Sequence, residues 1–363
     1  MANTVTQYKS PLHQMTQTTC TCLWNDSAAQ MELAYAIEHG AVGATCNPVI
    51  VGDVLKKEMH LWKDRIAELI QSMPTATEHD IAWKLVDEIS MKGAELLRPI
   101  FDAHKGKNGR LSVQTDPRFY RDTAAIVRQA EHFAGLAPNI IVKIPVTAAG
   151  IPAIEEATYR GISINATVCF SLPQCLEVAE AFERGLQRRE REGKDVASMG
   201  SVCTIMVGRL DDWLKVFADR HDISVDPGVL EWAGVAVFKK TYRLFQERGY
   251  RIRLLSAAFR NHMHWSEFIG GDVVISPPHL WQRRFNASDV PVEPRIDKPV
   301  APVLLAALEK FPDFRHAYTE RGLSREEFDA FPPTRRTLRQ FVAACHDLDG
   351  CVREVMLPNP DVM

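Results

Sequence analysis

The sequence contains no apolar run of membrane-spanning length, and Met1 to Gln17 is polar, without the apolar centre of a signal peptide. Neither membrane insertion nor secretion is expected. It also lacks a charge excess: 43 Lys and Arg against 46 Asp and Glu leave a net charge of -3, and no cationic stripe invites nucleic acid. No Gly-x-Gly-x-x-Gly turn follows any strand-like run, and there is no Walker loop, so nucleotide-binding folds built on those turns are disfavoured. No internal repeat is visible. Eight cysteines in 363 residues do not make a disulfide framework, and Cys20-Thr21-Cys22 has the spacing of neither a zinc knuckle nor a redox pair. Cys46, Cys169, Cys175 and Cys203 lie in or beside apolar segments and are expected to pack as small hydrophobes. A reducing cytoplasm is the expected compartment.

What is present is an alternation. Strand-like runs at Cys20–Trp24, Gly43–Pro48, Leu111–Asp116, Pro138–Val146, Ile162–Phe170, Ser201–Val207, Arg251–Ala258 and Asp272–Ser276 are separated by segments of helical period. Eight such units over about 260 residues have the size and rhythm of a (β/α)8 TIM barrel, with a doubly wound open sheet as the competing fold. The barrel is placed at residues 20–280. Residues 1–19 read as an N-terminal extension. Residues 281–363 read as a C-terminal helical extension after a proline-rich stretch, Pro291 to Val300. That extension would pack on the barrel, cover the site or mediate association. Trp281 and Phe285 would serve the packing of the tail or an interface in a homo-oligomer.

The run Pro138–Val146 is apolar and β-branched apart from Lys143. A lysine in such a strand must reach water, find a partner or lose its charge. On its own it reads as a structural lysine; a neutral amine able to form a Schiff base is the sharper alternative. In a barrel the functional face is the C-terminal ends of the strands. Those ends carry Asp26, Thr45, Asn47, Gln114, Asp116, Lys143, Asn165, Thr167, Thr204, Arg209 and Arg260. Singly, each has a plain structural use: Asp26 as a helix cap, Asn47 as a turn former, the arginines as ion-pair partners. Together they suit aldol chemistry. Lys143 would be the amine, Asp26 the acid/base, the amides and hydroxyls would hold sugar oxygens, and two arginines would hold a phosphate. His262-Met263-His264 offers no third metal ligand and reads as a loop or supporting segment.

These residues resemble the transaldolases, Schiff-base enzymes on a (β/α)8 barrel. The resemblance runs from about Cys22 to Pro278 through Leu23-Trp24-Asn25-Asp26, Gly43-Ala44-Thr45-Cys46-Asn47-Pro48, Val142-Lys143-Ile144-Pro145, Gly161-Ile162-Ser163-Ile164-Asn165-Ala166-Thr167, Val207-Gly208-Arg209-Leu210 and Ala257-Ala258-Phe259-Arg260. It implies that Lys143 forms the Schiff base, that Asp26 is the acid/base and that Thr167 positions water. It further implies that Asn47 and Asn165 hold substrate hydroxyls and that Arg209 and Arg260 hold the phosphate of a sugar-phosphate substrate. The implied reaction moves a dihydroxyacetone unit from a ketose phosphate to an aldose phosphate, in carbohydrate metabolism of the pentose phosphate kind, and the resemblance implies no metal and no dissociable cofactor. Four positions depart from the pattern. Gln114 stands where transaldolases usually carry glutamate, as in the fructose-6-phosphate aldolase branch. Met206 fits neither branch. Thr204 and Ala258 replace serines. An aldolase releasing free dihydroxyacetone, or one for another sugar, is therefore the alternative, and a non-catalytic sugar-phosphate-binding barrel is the third reading.

Overall fold

The computed structural model describes residues 7–362. Eight strands form a closed, all-parallel barrel: β1 (Cys22–Asn25), β2 (Ala41–Thr45), β3 (Arg110–Gln114), β4 (Ile140–Pro145), β5 (Ile164–Cys169), β6 (Val202–Met206), β7 (Arg253–Ala257) and β8 (Val274–Ile275). Pairing of Cys22 with Val274 closes it. Every residue of β3, β4, β5 and β6 is buried, because barrel side chains fill the inside of the barrel on one face and pack under helices on the other. That is why these strands read as continuous apolar runs. The interior is plugged by Trp24, Ile141, Val202, Leu255 and Val274. A Cβ on Gly43 would sit 2.5 Å from the Trp24 ring, so only glycine lets β2 pass that plug. Cys169, Cys175 and Cys203 are free thiols packed together in the wall behind β5 and β6.

The eight strand assignments hold, with ends shifted by one to three residues in either direction. Differences lie in the helices. Pro48–Ser72 and Glu78–Ala103 are two long helices between β2 and β3. Val207–Arg220 starts directly from β6, so Arg209 lies inside a helix rather than ahead of one. Pro11–Thr18 is a helix that the polar N-terminal sequence did not announce. Its Leu12 and Met15 are buried, and the Trp265 indole N–H reaches the Met15 sulfur at 3.3 Å. Phe285 is 1% exposed and stacks on Trp265, so it packs within the chain.

After β8 the chain forms His279–Asn286, Pro302–Leu308, Pro312–Tyr318, a short turn of helix at Arg325–Ala330 and the helix Pro332–Met356. Ser324 and Glu327 make the expected capping box. Pro332–Met356 is longer than the Thr334–His346 stretch read from sequence. It packs on Pro48–Ser72 and Glu78–Ala103. The proline-rich stretch is tied down by one buried lysine. Lys239 Nζ donates to Glu267 Oε2 at 2.6 Å and to the carbonyls of Arg295 and Lys298 at 2.8 Å. Lys239→Met would leave a carboxylate and two carbonyls without their donor. A loss of about 3 kcal/mol in chemical denaturation is expected; a loss below about 1 kcal/mol would show that water replaces the ammonium.

Candidate active site

The C-terminal mouth of the barrel opens into a cavity of about 370 Å³ whose lining includes Asp26, Asn47, Lys143, Thr204, Met206, Arg209 and Arg260. Strand geometry explains the convergence. Side chains two apart share a face. Ile141 fills the interior plug, so Lys143 projects into the barrel one layer nearer the mouth. On β6, Val202 is in the plug and Thr204 and Met206 stand above it.

Lys143 is 3% exposed, and burial pulls its ammonium below the ordinary lysine value. Asp26 opposes that trend, and Arg209 adds to it. The Asp26 carboxyl is pushed up by burial and pulled down by Lys143, by Thr45 and by Arg209. Thr45 donates to Asp26 Oδ1 at 2.5 Å, so Thr45 holds the carboxyl rather than facing the cavity. Asp26 caps no helix: Gln30–Glu38 begins without a side-chain cap. The plain structural use of Asp26 is thereby removed. Cys46, beside this pair, is a packed thiol with its pKa raised to about 12 by burial.

Asn47 has two uses. Its Oδ1 accepts the Ile50 N–H at 3.1 Å as the cap of Pro48–Ser72, and its side chain also lines the cavity. Asn165 lies beneath the cavity floor. Its Oδ1 accepts from Thr204 at 2.6 Å, and its Nδ2 donates to Ser112 at 2.9 Å. Thr167 is fully buried, with its hydroxyl 4.0 Å from the Met206 sulfur. Val168, just after it, has φ +54° in a register shift between β5 and β6. A β-branched residue rarely takes this conformation, and the shift re-aims the strand end that carries Thr167. Gln114 is not among the residues lining the main cavity. It lines a small neighbouring pocket with Asn47, Pro48 and Leu348, and its Oε1 is buried without a partner.

The two arginines differ. Arg260 is paired with Asp212, its Nη2 donating to Oδ2 at 2.7 Å and its Nε to Oδ1 at 3.1 Å. Its backbone N–H is accepted by His264 Nδ1 at 3.1 Å, and His264 Nε2 bonds Asp211 at 2.9 Å. His264 is thus a buried support for the Arg260 loop, as its sequence context suggested. Arg209 is partly buried, and burial brings its pKa to about 10. Its Nη1 donates to Gln340 Oε1 at 2.5 Å, and its guanidinium lies 5.8 Å from the Phe341 ring.

Sequence reasoning missed Phe341, which lines the cavity from the C-terminal helix Pro332–Met356, and missed the outer rim: Glu32, Asp53, Lys57, His279 and Arg283. No local pattern marks them, since each lies on a helix turned toward the mouth only by packing. Among the described residues no helix is long and apolar enough to cross a membrane.

Known proteins match this chain along the same stretch. The family described as Transaldolase/Fructose-6-phosphate aldolase matches residues 23–332. The transaldolase of Acidothermus cellulolyticus is 31% identical over 219 residues, 57% of this chain and 55% of the relative. Transaldolase 1 of Streptomyces avermitilis is 37% identical over 183 residues, 49% of this chain and 47% of the relative. The transaldolase of Thermobifida fusca is 32% identical over 216 residues, 56% of each. The chain spans about half the length of these curated relatives. With a family match over most of its length and a closed eight-stranded barrel, the chain belongs to the transaldolase/fructose-6-phosphate aldolase family.

Proposed function

We propose that the protein is a transaldolase-type enzyme that moves a dihydroxyacetone unit between sugar phosphates through a Schiff base on Lys143. The observation that carries this is one buried amine and one partly buried carboxyl, each driven toward its neutral form, at the floor of a cavity whose wall holds two arginines. The neutral amine of Lys143 attacks the ketose carbonyl. Asp26, as an acid, gives a proton to the departing carbinolamine hydroxyl, and water leaves as the imine forms. Asp26, now a carboxylate, takes the proton of the hydroxyl next to the breaking C–C bond. The aldose leaves, and the electron pair remains on the enzyme-bound enamine. Addition of this enamine to the acceptor aldose and hydrolysis of the imine restore the amine. Asn47 and the hydroxyl of Thr204 suit sugar oxygens, Thr167 suits a water, and Arg209 and Arg260 suit the phosphate.

Borohydride reduction in the presence of dihydroxyacetone tests the reading. The expected product is a stable adduct on Lys143 seen by peptide mass spectrometry; an unlabelled Lys143 in a protein that still binds sugar phosphate would favour a non-catalytic barrel. Gln114 favours a second reading. A neutral amide cannot act as a base, so an aldolase that releases free dihydroxyacetone fits this position. Comparing dihydroxyacetone release with and without an acceptor aldehyde separates the two, strong release without acceptor supporting the aldolase. For Arg260→Ala, a rise in KM of roughly tenfold to a hundredfold is expected for phosphorylated ketoses, the value of a charge-assisted contact, with little change for unphosphorylated ones. Equal losses on both classes would remove the phosphate role.

A further inference from the structure

The family match ends at residue 332, and the helix Pro332–Met356 begins there. Beyond its first residue, this helix is outside what the family match covers. It is nevertheless built into the mouth of the barrel. Thr337, Leu338, Phe341, Ala344, Cys345, Leu348 and Val352 recur at helical spacing on its buried face. Leu348 and Val352 join the core beneath Pro48–Ser72, while Leu338 and Phe341 join the cluster on Val207–Arg220. A hydrogen-bond contact of Asp349 with His79 at 3.3 Å and an ion pair of Arg353 with Glu78 at 2.7 Å fasten its second half to Glu78–Ala103. A helix anchored on both sides in this way is a wall, and two consecutive residues of that wall reach Arg209.

On the same rim Arg260 meets the carboxylate of Asp212. Arg209 instead hydrogen-bonds the neutral carbonyl of Gln340 at 2.5 Å and faces Phe341; Asp212 and Asp26 act on it through space without an ion-pair contact, and its buried Nε has no partner. Gln340 Oε1 orients the fork without cancelling its charge. Phe341, 1% exposed, lines the cavity and keeps water from one side of the guanidinium. Arg336, one turn earlier on the same helix, adds positive potential at Arg209. A cation oriented, partly dried and without a carboxylate in direct contact is poised for an anion supplied by the ligand.

We propose that the helix Pro332–Met356 is part of the substrate site and that Gln340, with Phe341, sets the preference of this chain for a phosphorylated over an unphosphorylated ketose. The proposal rests on the reading of the cavity as a sugar-phosphate site. Gln340 acts through Arg209 and is a positioning residue. Replacing its amide by a carboxylate, Gln340→Glu, would place an internal anion on Arg209 in competition with the phosphate. Gln340→Ala removes the orienting acceptor and adds no competitor.

The test is the ratio of kcat/KM for fructose 6-phosphate to kcat/KM for fructose, in wild type and both variants, beside borohydride labelling with dihydroxyacetone. Gln340 is exposed, so both variants are expected to fold. Gln340→Glu is expected to lower the ratio at least tenfold, mostly through KM for the phosphorylated sugar, and Gln340→Ala to lower it less. If Gln340→Glu is not obtained folded, the fall in Gln340→Ala decides alone. A ratio unchanged in the variants, with wild-type Lys143 labelled, overturns the role of the helix and leaves the aldol reading standing. A wild type that is not labelled overturns the aldol reading itself.

Discussion

Lys143→Met is expected to abolish turnover, by at least about a thousandfold, and to abolish borohydride labelling, while the melting temperature near neutral pH does not fall. The first part follows from the chemistry. No other amine lines the floor of the cavity, and Lys57 on the rim is held by Glu32 at 2.9 Å. Loss of a covalent nucleophile removes the whole route rather than one contribution to it. The second part follows from burial. Lys143 is 3% exposed in a wall of Val142, Ile144 and their neighbours, which disfavours its charged form. Methionine keeps most of the stem volume without the ammonium, so packing survives and the desolvation cost disappears. A marked drop in melting temperature would mean that the lysine is a structural ion-pair partner, the reading its strand alone first suggested. Surviving turnover would sink the imine mechanism.

The sequence made Lys143 and Asp26 legible because a parallel barrel turns chain order into ring order. Each strand ends at the same face, so residues at successive strand ends become neighbours around one rim. The roles within that rim were less legible. Thr45 and Asn165 sit at strand ends like the rest, yet one holds a carboxyl and the other is tied between Ser112 and Thr204. Which way such a side chain turns depends on partners from other strands. Gln114 aligns with Lys143 in the β3–β4 register, and still its carbonyl oxygen ends in a pocket beneath Asn47, shaped by Trp83 and Leu348 from two distant helices. Gln340 and Phe341 could not be read at all. Their helix has an ordinary amphipathic pattern, and nothing local says that this face meets a barrel mouth. The N-terminal helix Pro11–Thr18 escaped notice for the same reason: two buried residues, Leu12 and Met15, give too weak a period.

Asp26→Asn separates acid/base work from charge, and its expected effects run in opposite directions. Turnover falls about a hundredfold to ten-thousandfold, the usual value of a positioned acid/base. Shape is kept, since the Asn carbonyl still accepts from Thr45, so the loss reports the proton rather than packing. The amine, in contrast, becomes available at lower pH. Burial lowers the pKa of Lys143 from 10.5, and the carboxylate of Asp26 raises it. Removing that negative charge leaves burial opposed only by weaker neighbours, so the pKa of Lys143 drops further. The neutral fraction of the amine, which increases as pH rises through its pKa, then persists to more acidic solution. Trinitrobenzenesulfonate modification of Lys143, followed across pH by mass spectrometry, should show its rising limb displaced to lower pH in Asp26→Asn. A limb that stays in place would mean that Asp26, the acid of the resting site, keeps its proton throughout the pH range in which the amine titrates and so does not act on the charge of the amine. A limb displaced to higher pH would contradict the coupling itself, because no loss of a nearby negative charge can stabilise an ammonium.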